Sequence, residues 1–323
     1  MTTSRKITRD DLAAAASRYK NWGRWGPDDE VGTLNFVAPE DIVAAARLVT
    51  QGKVISLALN YDKDGPQAGK TPYSTGRTNP IHVMLRAGTD AYSGVLDSRG
   101  IRAADDMVIM PLQSGTQWDG LGHVFYEDRM WNGYDCREVT SFGAQRNGIQ
   151  HTKDKMVGRG VLLDVPRVLG RDPLEDGYAI TIADLDRTAD AHGVEVRRGD
   201  FVIVRTGQME AKLAEGNWDG YPGGDAPGLA FETVEWVHSK EVAAVATDTW
   251  GNEVRPNESE AGIVQPWHWI TIPMMGLTMG EIFYVADLAA DCAADGVYEM
   301  LFVAPPLPIT GAVNSPINPI AVK

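Results

Sequence analysis

The chain is poor in cysteine, in positive charge and in long apolar runs, and each shortage excludes something. Only Cys136 and Cys292 occur in 323 residues, too few for a disulfide framework and without the C-x-x-C spacing of a zinc knuckle or a redox pair. Lys and Arg number 30 against 44 Asp and Glu, a formal net charge of −14. Such a chain is not built to track phosphates, because counterion release needs clustered basic residues, so no nucleic-acid partner is expected. The same negative field attracts divalent cations. No window offers the roughly 18 apolar residues of a membrane span. The opening MTTSRKITRDDLAAAASRYK puts charges where a signal peptide has its apolar core. A cytoplasmic protein with no membrane contact is the expectation. Also missing are a G-x-S-x-G nucleophile elbow, a G-x-G-x-x-G dinucleotide loop and a Walker A sequence. Neither cysteine sits in a motif that would activate it.

What is present reads as a mixed α/β chain. With 43% hydrophobic and 23% charged residues it can bury a sizeable core. Helices are expected over Asp10–Tyr19, from Pro39 to Gly52, and over Glu232–Ser239. Another runs from Thr181, an N-cap whose capping box Asp184 completes, to Ala191, with Gly193 closing it. Short, often β-branched runs give strand signals at Val54–Leu59, Ile81–Leu85, Met107–Leu112, Val161–Val165, Phe201–Arg205, Val242–Ala246 and Glu281–Val285. Residues 62–80 suit a long loop or lid, and the Pro-rich tail PPLPITGAVNSPINPIAVK is non-helical. The stretch NWGRWGPDDEVGTLNF is an aromatic loop that either plugs one end of the core or touches substrate. No repeat or linker divides the chain, and strands interleave irregularly with helices, which favours a single mixed-sheet domain over a doubly wound sheet.

The most informative run is QSGTQWDGLGH, Gln113 to His123. A carboxylate, two amide oxygens and an imidazole follow a strand-like segment, where sites usually sit, and three glycines let the backbone fold tightly around one cation. The competing reading is a glycine-rich polar turn with a buried, hydrogen-bonded Asp119.

This run is similar to the signature H-x-G-T-H-x-D-x-P-x-H of the metal-dependent cyclase family, with Gly115, Thr116, Asp119 and His123 in register. The resemblance extends over roughly residues 50–300, through Arg159–Asp164, Arg198–Gly207, Asp248, His268 and Glu281. It looks nearest to the zinc-dependent trans-dienelactone hydrolase group. It implies a swivelling β/β/α domain over residues 53–323, with residues 1–52 as an N-terminal helical extension. It also implies one metal held by Gln113, Gln117 and Asp119, a second site formed by Asp119, His268 and Glu281, and His123 as general acid/base. The chain departs from the signature where glutamines replace both metal-binding histidines and Leu121 replaces proline. Zn²⁺ or Mn²⁺ is the expected ion; amide oxygens bind more weakly than imidazole and shift the preference from Zn²⁺ toward harder ions such as Mn²⁺ or Mg²⁺, with a single-ion site preferred over a dinuclear one. Without the resemblance, a lone His268 in PWHW reads as a packed core residue sooner than as a ligand.

The expected activity is metal-dependent hydrolysis of a lactone or a cyclic amide or imide in a small, aromatic-derived substrate. Trp118 and Trp25 are the candidate substrate contacts, against a core role for either. Ring closure by the same groups and a catalytically weak small-molecule-binding protein are the competing functions. Family relatives imply a homo-oligomer, for which the Pro-rich tail offers a possible surface.

Overall fold

The computed structural model describes residues 6–70 and 76–323, so five positions of the expected 62–80 loop lie outside the described residues. Nine strands form one mixed sheet in the order 54–56, 320–322, 299–303, 157–164, 201–205, 244–247, 278–281, 117–119, 314–316. The centre is parallel, from Val157–Asp164 through Phe201–Arg205 and Ala244–Thr247 to Thr278–Glu281, and the flanking pairs are antiparallel. Parallel strands covered on both faces read as continuous apolar runs, and FVIVR is buried at every position.

Alternation along these strands divides the core in two. Val161, Leu163, Val202, Val204 and Val245 point to one side. There they meet Leu12 and Ala16 of the helix Arg9–Arg18, Leu185 of Ile182–His192 and Val234 and Trp236 of Thr233–Lys240. Leu162, Phe201, Ile203 and Ala246 point to the other, against Leu288 and Cys292 of the helix Ala286–Asp295. The Thr181–Asp184 capping box forms as the sequence predicts, each residue's side chain accepting from the other's backbone N–H at 3.1 and 3.0 Å. An α/β fold on one mixed sheet is therefore what the chain adopts. No helix among the described residues is long and apolar enough to cross a membrane.

One sequence expectation is corrected and another is extended. The strand expected over Glu281–Val285 lies earlier, at Thr278–Glu281, with Glu281 as its last residue. Ile282 turns away with φ of 60°, and Phe283 packs as irregular core. The Pro-rich tail is non-helical as expected, but it supplies strands that the sequence did not signal. Asn314–Pro316 and Ile320–Val322 are both strands of the main sheet.

Gly280 shows how closely this part of the sheet packs. It stands opposite Trp118, and a Cβ there would lie 2.6 Å from Ala246 Cβ and 2.8 Å from Trp118 Cζ3. Only glycine lets the indole lie against the sheet at this point.

Candidate metal centre and catalytic cleft

The strand Gln117–Asp119 pairs antiparallel with Thr278–Glu281, so that Gln117 faces Glu281 and Asp119 faces Met279. Side chains alternate along a strand, and Gln117, Asp119 and Glu281 therefore share one face while Trp118 takes the other. His268 approaches that polar face from the short helix Pro266–Ile270. The ligand atoms of Asp119, His268 and Glu281 all lie within 4.8 Å of one another, and all three residues are buried. His268 Nε2 is 3.3 Å from Glu281 Oε1, Gln117 Nε2 donates to Glu281 Oε2 at 2.7 Å, and Asn314 Nδ2 donates to Asp119 Oδ1 at 2.5 Å.

Burial pushes the Asp119 carboxyl well above the usual carboxylate range, and the charge of Glu281 pushes in the same direction. For His268 burial pulls the pKa down, but hydrogen bonds to Glu253 and Glu281 and their charges outweigh it and lift the ring to about 10. Asp119 and His268 are thus each biased toward the protonated form, and a cation would satisfy the same groups. Gln117 Oε1 supports a cation independently: it is buried and has no hydrogen-bond partner among the described residues. An amide oxygen, two carboxylates and an imidazole form a donor set suited to a divalent ion.

His123 Nε2 lies 3.5 Å from Asp119 Oδ2. Burial, reinforced by the Arg77 guanidinium, lowers its pKa to about 4, so the ring is neutral near pH 7. A small cavity of about 90 Å³ opens over these groups, walled by Arg77, His123, Trp250, Gln265 and Trp269. Arg77 stacks over the Trp250 ring at 4.9 Å. Trp250 Nε1 is buried without a hydrogen-bond partner among the described residues, which makes it a spare donor beside the cleft.

Of the sequence candidates, Gln117, Asp119, His123, His268 and Glu281 come together. Gln113 stands apart: it is half-buried in the preceding turn, its carbonyl accepts from Gln67 Nε2 at 3.3 Å, and its side chain does not line the cleft. Trp118 is core. It is 1% exposed, donates from Nε1 to Ala304 O and packs on Phe283 and Phe302. Trp25 packs edge-on against Phe36 and beside Trp131, away from the cleft-lining set.

Sequence reasoning missed Glu253 and Asn314. Glu253 accepts from His268 Nδ1 at 2.5 Å, from the His268 and Trp267 backbone N–H groups at 3.1 and 3.2 Å, and from Asn257 Nδ2 at 3.2 Å. It thereby fixes the ring so that Nε2 faces Glu281. No spacing rule links Glu253 to His268. Asn314 lay in a tail whose proline content hid its strand.

Comparison with known proteins agrees with this fold. The family described as Putative cyclase matches residues 36–254. A crystal structure described as a novel cyclase is 38% identical, covers 94% of this chain and 100% of its own, and superposes with a TM-score of 0.84. Isatin hydrolase A from Labrenzia aggregata, bound to benzyl benzoate, shares the fold at 17% identity and a TM-score of 0.60, over 87% of this chain and 97% of its own. An isatin hydrolase bound to the product analogue thioisatinate is similar at 16% identity and a TM-score of 0.59, over 88% and 98%. No curated protein matches the chain. The chain belongs to this cyclase family.

Proposed function

We propose that the protein is a metal-dependent hydrolase that opens a lactone or a cyclic amide or imide in a small, aromatic-derived substrate. The observation that carries this is the convergence of Asp119, His268 and Glu281 within 4.8 Å, with the His123 imidazole 3.5 Å from Asp119. Asp119, His268 and Glu281 would hold a divalent ion, with Gln117 Oε1 on the same face, and that ion would supply Lewis-acid chemistry toward a water and the scissile carbonyl. His123, kept neutral by burial and by Arg77, is placed to accept a proton from the attacking water and to return it to the departing ring oxygen or nitrogen. Arg77 and Trp250 Nε1 oppose the negative charge that develops on the carbonyl oxygen. Trp250 and Trp269 give the cleft flat walls, which suit an aromatic ring. Several structures of this fold are named isatin hydrolases, so hydrolysis lies within its chemistry. Mn²⁺ suits the oxygen-rich donor set better than Zn²⁺.

The test is turnover of a panel of aryl lactones and cyclic imides by metal-stripped protein, before and after adding Mn²⁺ or Zn²⁺. Ring opening that appears only with the ion is the expected result. Stoichiometric metal without turnover in either direction on any ring would leave a binding protein instead.

Glu253 gives a second check on the same centre. Glu253→Gln replaces one accepting oxygen by an amide that cannot accept from the N–H groups facing it, so His268 loses its fixed orientation. Partners that orient a ligating histidine typically contribute about 10–100-fold in metal affinity. Calorimetric titration with Mn²⁺ should show that loss while far-ultraviolet circular dichroism stays at the wild-type signal. Unchanged affinity would remove Glu253 from the metal centre.

A further inference from the structure

A protein interior uses glycine for two physical reasons: a positive φ that other residues resist, or an approach so close that no Cβ fits. Gly251 is buried and has neither. Its φ lies outside the left-handed region. The nearest atoms that an added Cβ would meet stand at 3.6 Å, an ordinary van der Waals distance. Among the described residues, every other buried glycine of ordinary φ would bring its Cβ to 3.0 Å or less from a neighbour. Gly120, Gly160 and Gly228 do so at 2.6, 2.8 and 2.5 Å. Alanine at a compatible φ ordinarily stabilises a fold, because it narrows the unfolded ensemble. Folding alone therefore gives no reason for a bare Cα at 251.

The missing methyl would meet the candidate metal centre. Its neighbours would be Gln265 Nε2 and Glu281 Oε1, each at 3.6 Å, and His268 Cε1 at 4.0 Å. All three residues line the catalytic cleft, as does Trp250 just before Gly251. The segment is pinned on both sides. Asp248 accepts from Thr206 N and Gly207 N, both at 2.7 Å, and Thr249 O accepts from Ile282 N at 3.0 Å. Beyond Gly251, Asn252 Nδ2 donates to Gly280 O at 3.1 Å, and Glu253 holds the His268 ring. A side chain at 251 would thus project beside Glu281 and His268, with no slack in the backbone to carry it away. We infer that Gly251 is a specificity-determining position, a role that rests on the hydrolase function proposed above: its bare Cα keeps one side of the centre open to solvent and to the scissile carbonyl. In a cleft of about 90 Å³, each added methyl displaces one or the other.

Gly251→Ala and Gly251→Val, studied with Mn²⁺ as the probe, test this. Relaxation of bulk water protons reports how freely solvent exchanges at protein-bound Mn²⁺, and calorimetry gives the affinity. Wild type should bind Mn²⁺ with a strong relaxation enhancement. Gly251→Ala should melt no lower than wild type and bind Mn²⁺ with comparable affinity, yet lose part of that enhancement. Gly251→Val should lose most of it. If valine unfolds the protein, the alanine variant decides. Full enhancement in every folded variant would overturn the proposal and leave the metal centre standing. Loss of Mn²⁺ itself from a variant that melts normally would also overturn it, since the ion, and not its open side, would then lie over Gly251. A wild type without affinity for Mn²⁺ would remove the centre and this role of Gly251 together.

Discussion

Asp119→Ala loses bound divalent ion and turnover together, whereas His123→Ala keeps the ion while turnover falls by about 10²–10⁴-fold. The two residues are four apart in sequence and their side chains nearly touch at 3.5 Å, yet their surroundings assign them different work. Asp119 is 2% exposed and held by Asn314 Nδ2. Without its carboxylate the remaining donors are the Gln117 amide oxygen, the His268 imidazole and the Glu281 carboxylate, the last two already engaged with Glu253 and Gln117 Nε2. Metal affinity and activity therefore go together. His123 stands at the cleft wall and is not among the three clustered residues that could hold an ion. Its removal leaves the ion in place and takes away the proton carrier. Metal analysis by plasma emission on each purified variant, paired with steady-state rates, reads both quantities. Metal loss in His123→Ala to the same extent as in Asp119→Ala would show that the imidazole is a ligand and that the division of roles is wrong.

Trp118→Ala should cost about 3–5 kcal/mol of stability, the range for deleting a large buried aromatic side chain, and should leave KM for a turned-over ring substrate close to wild type if the variant is assayed below its melting range. The indole fills the space left by Gly280 and packs against Phe283 and Phe302. Its removal opens a cavity and strands the Ala304 carbonyl that Nε1 satisfies. Urea unfolding with linear extrapolation measures the first effect. A raised KM with an unchanged midpoint would instead place Trp118 against substrate.

The Trp118 assignment shows how much of the site the sequence could carry. In Gln117–Asp119 the two polar residues flank the indole, and strand alternation puts the indole on the opposite face from its neighbours. That reading needs the three residues to be a strand, and a run this short and this rich in nearby glycine gives no periodic signal. The central strands were legible because burial on both faces forces apolar residues at every position, as in Phe201–Arg205. The Thr181 capping box was legible because it is local. His268 and Glu281 were legible only through the family signature, since each sits on a separate segment and meets Asp119 through tertiary structure alone. Glu253 and Asn314 belong to no signature and became visible only when the sheet register and the turn before Pro266 brought them beside the ligands. The helices Gln208–Glu215 and Ala286–Asp295 also escaped notice. The apolar stretch before the second invited extension of a strand through Val285, and tertiary packing, not local propensity, ended that strand at Glu281.

A crystal soaked with Mn²⁺, with anomalous difference density recorded to locate the ion, tests the central claim most directly. The account predicts one strong peak about 2.0–2.3 Å from a carboxylate oxygen of Asp119, from His268 Nε2 and from a carboxylate oxygen of Glu281. A peak elsewhere, or an empty centre in a protein that still opens its substrate, would contradict it.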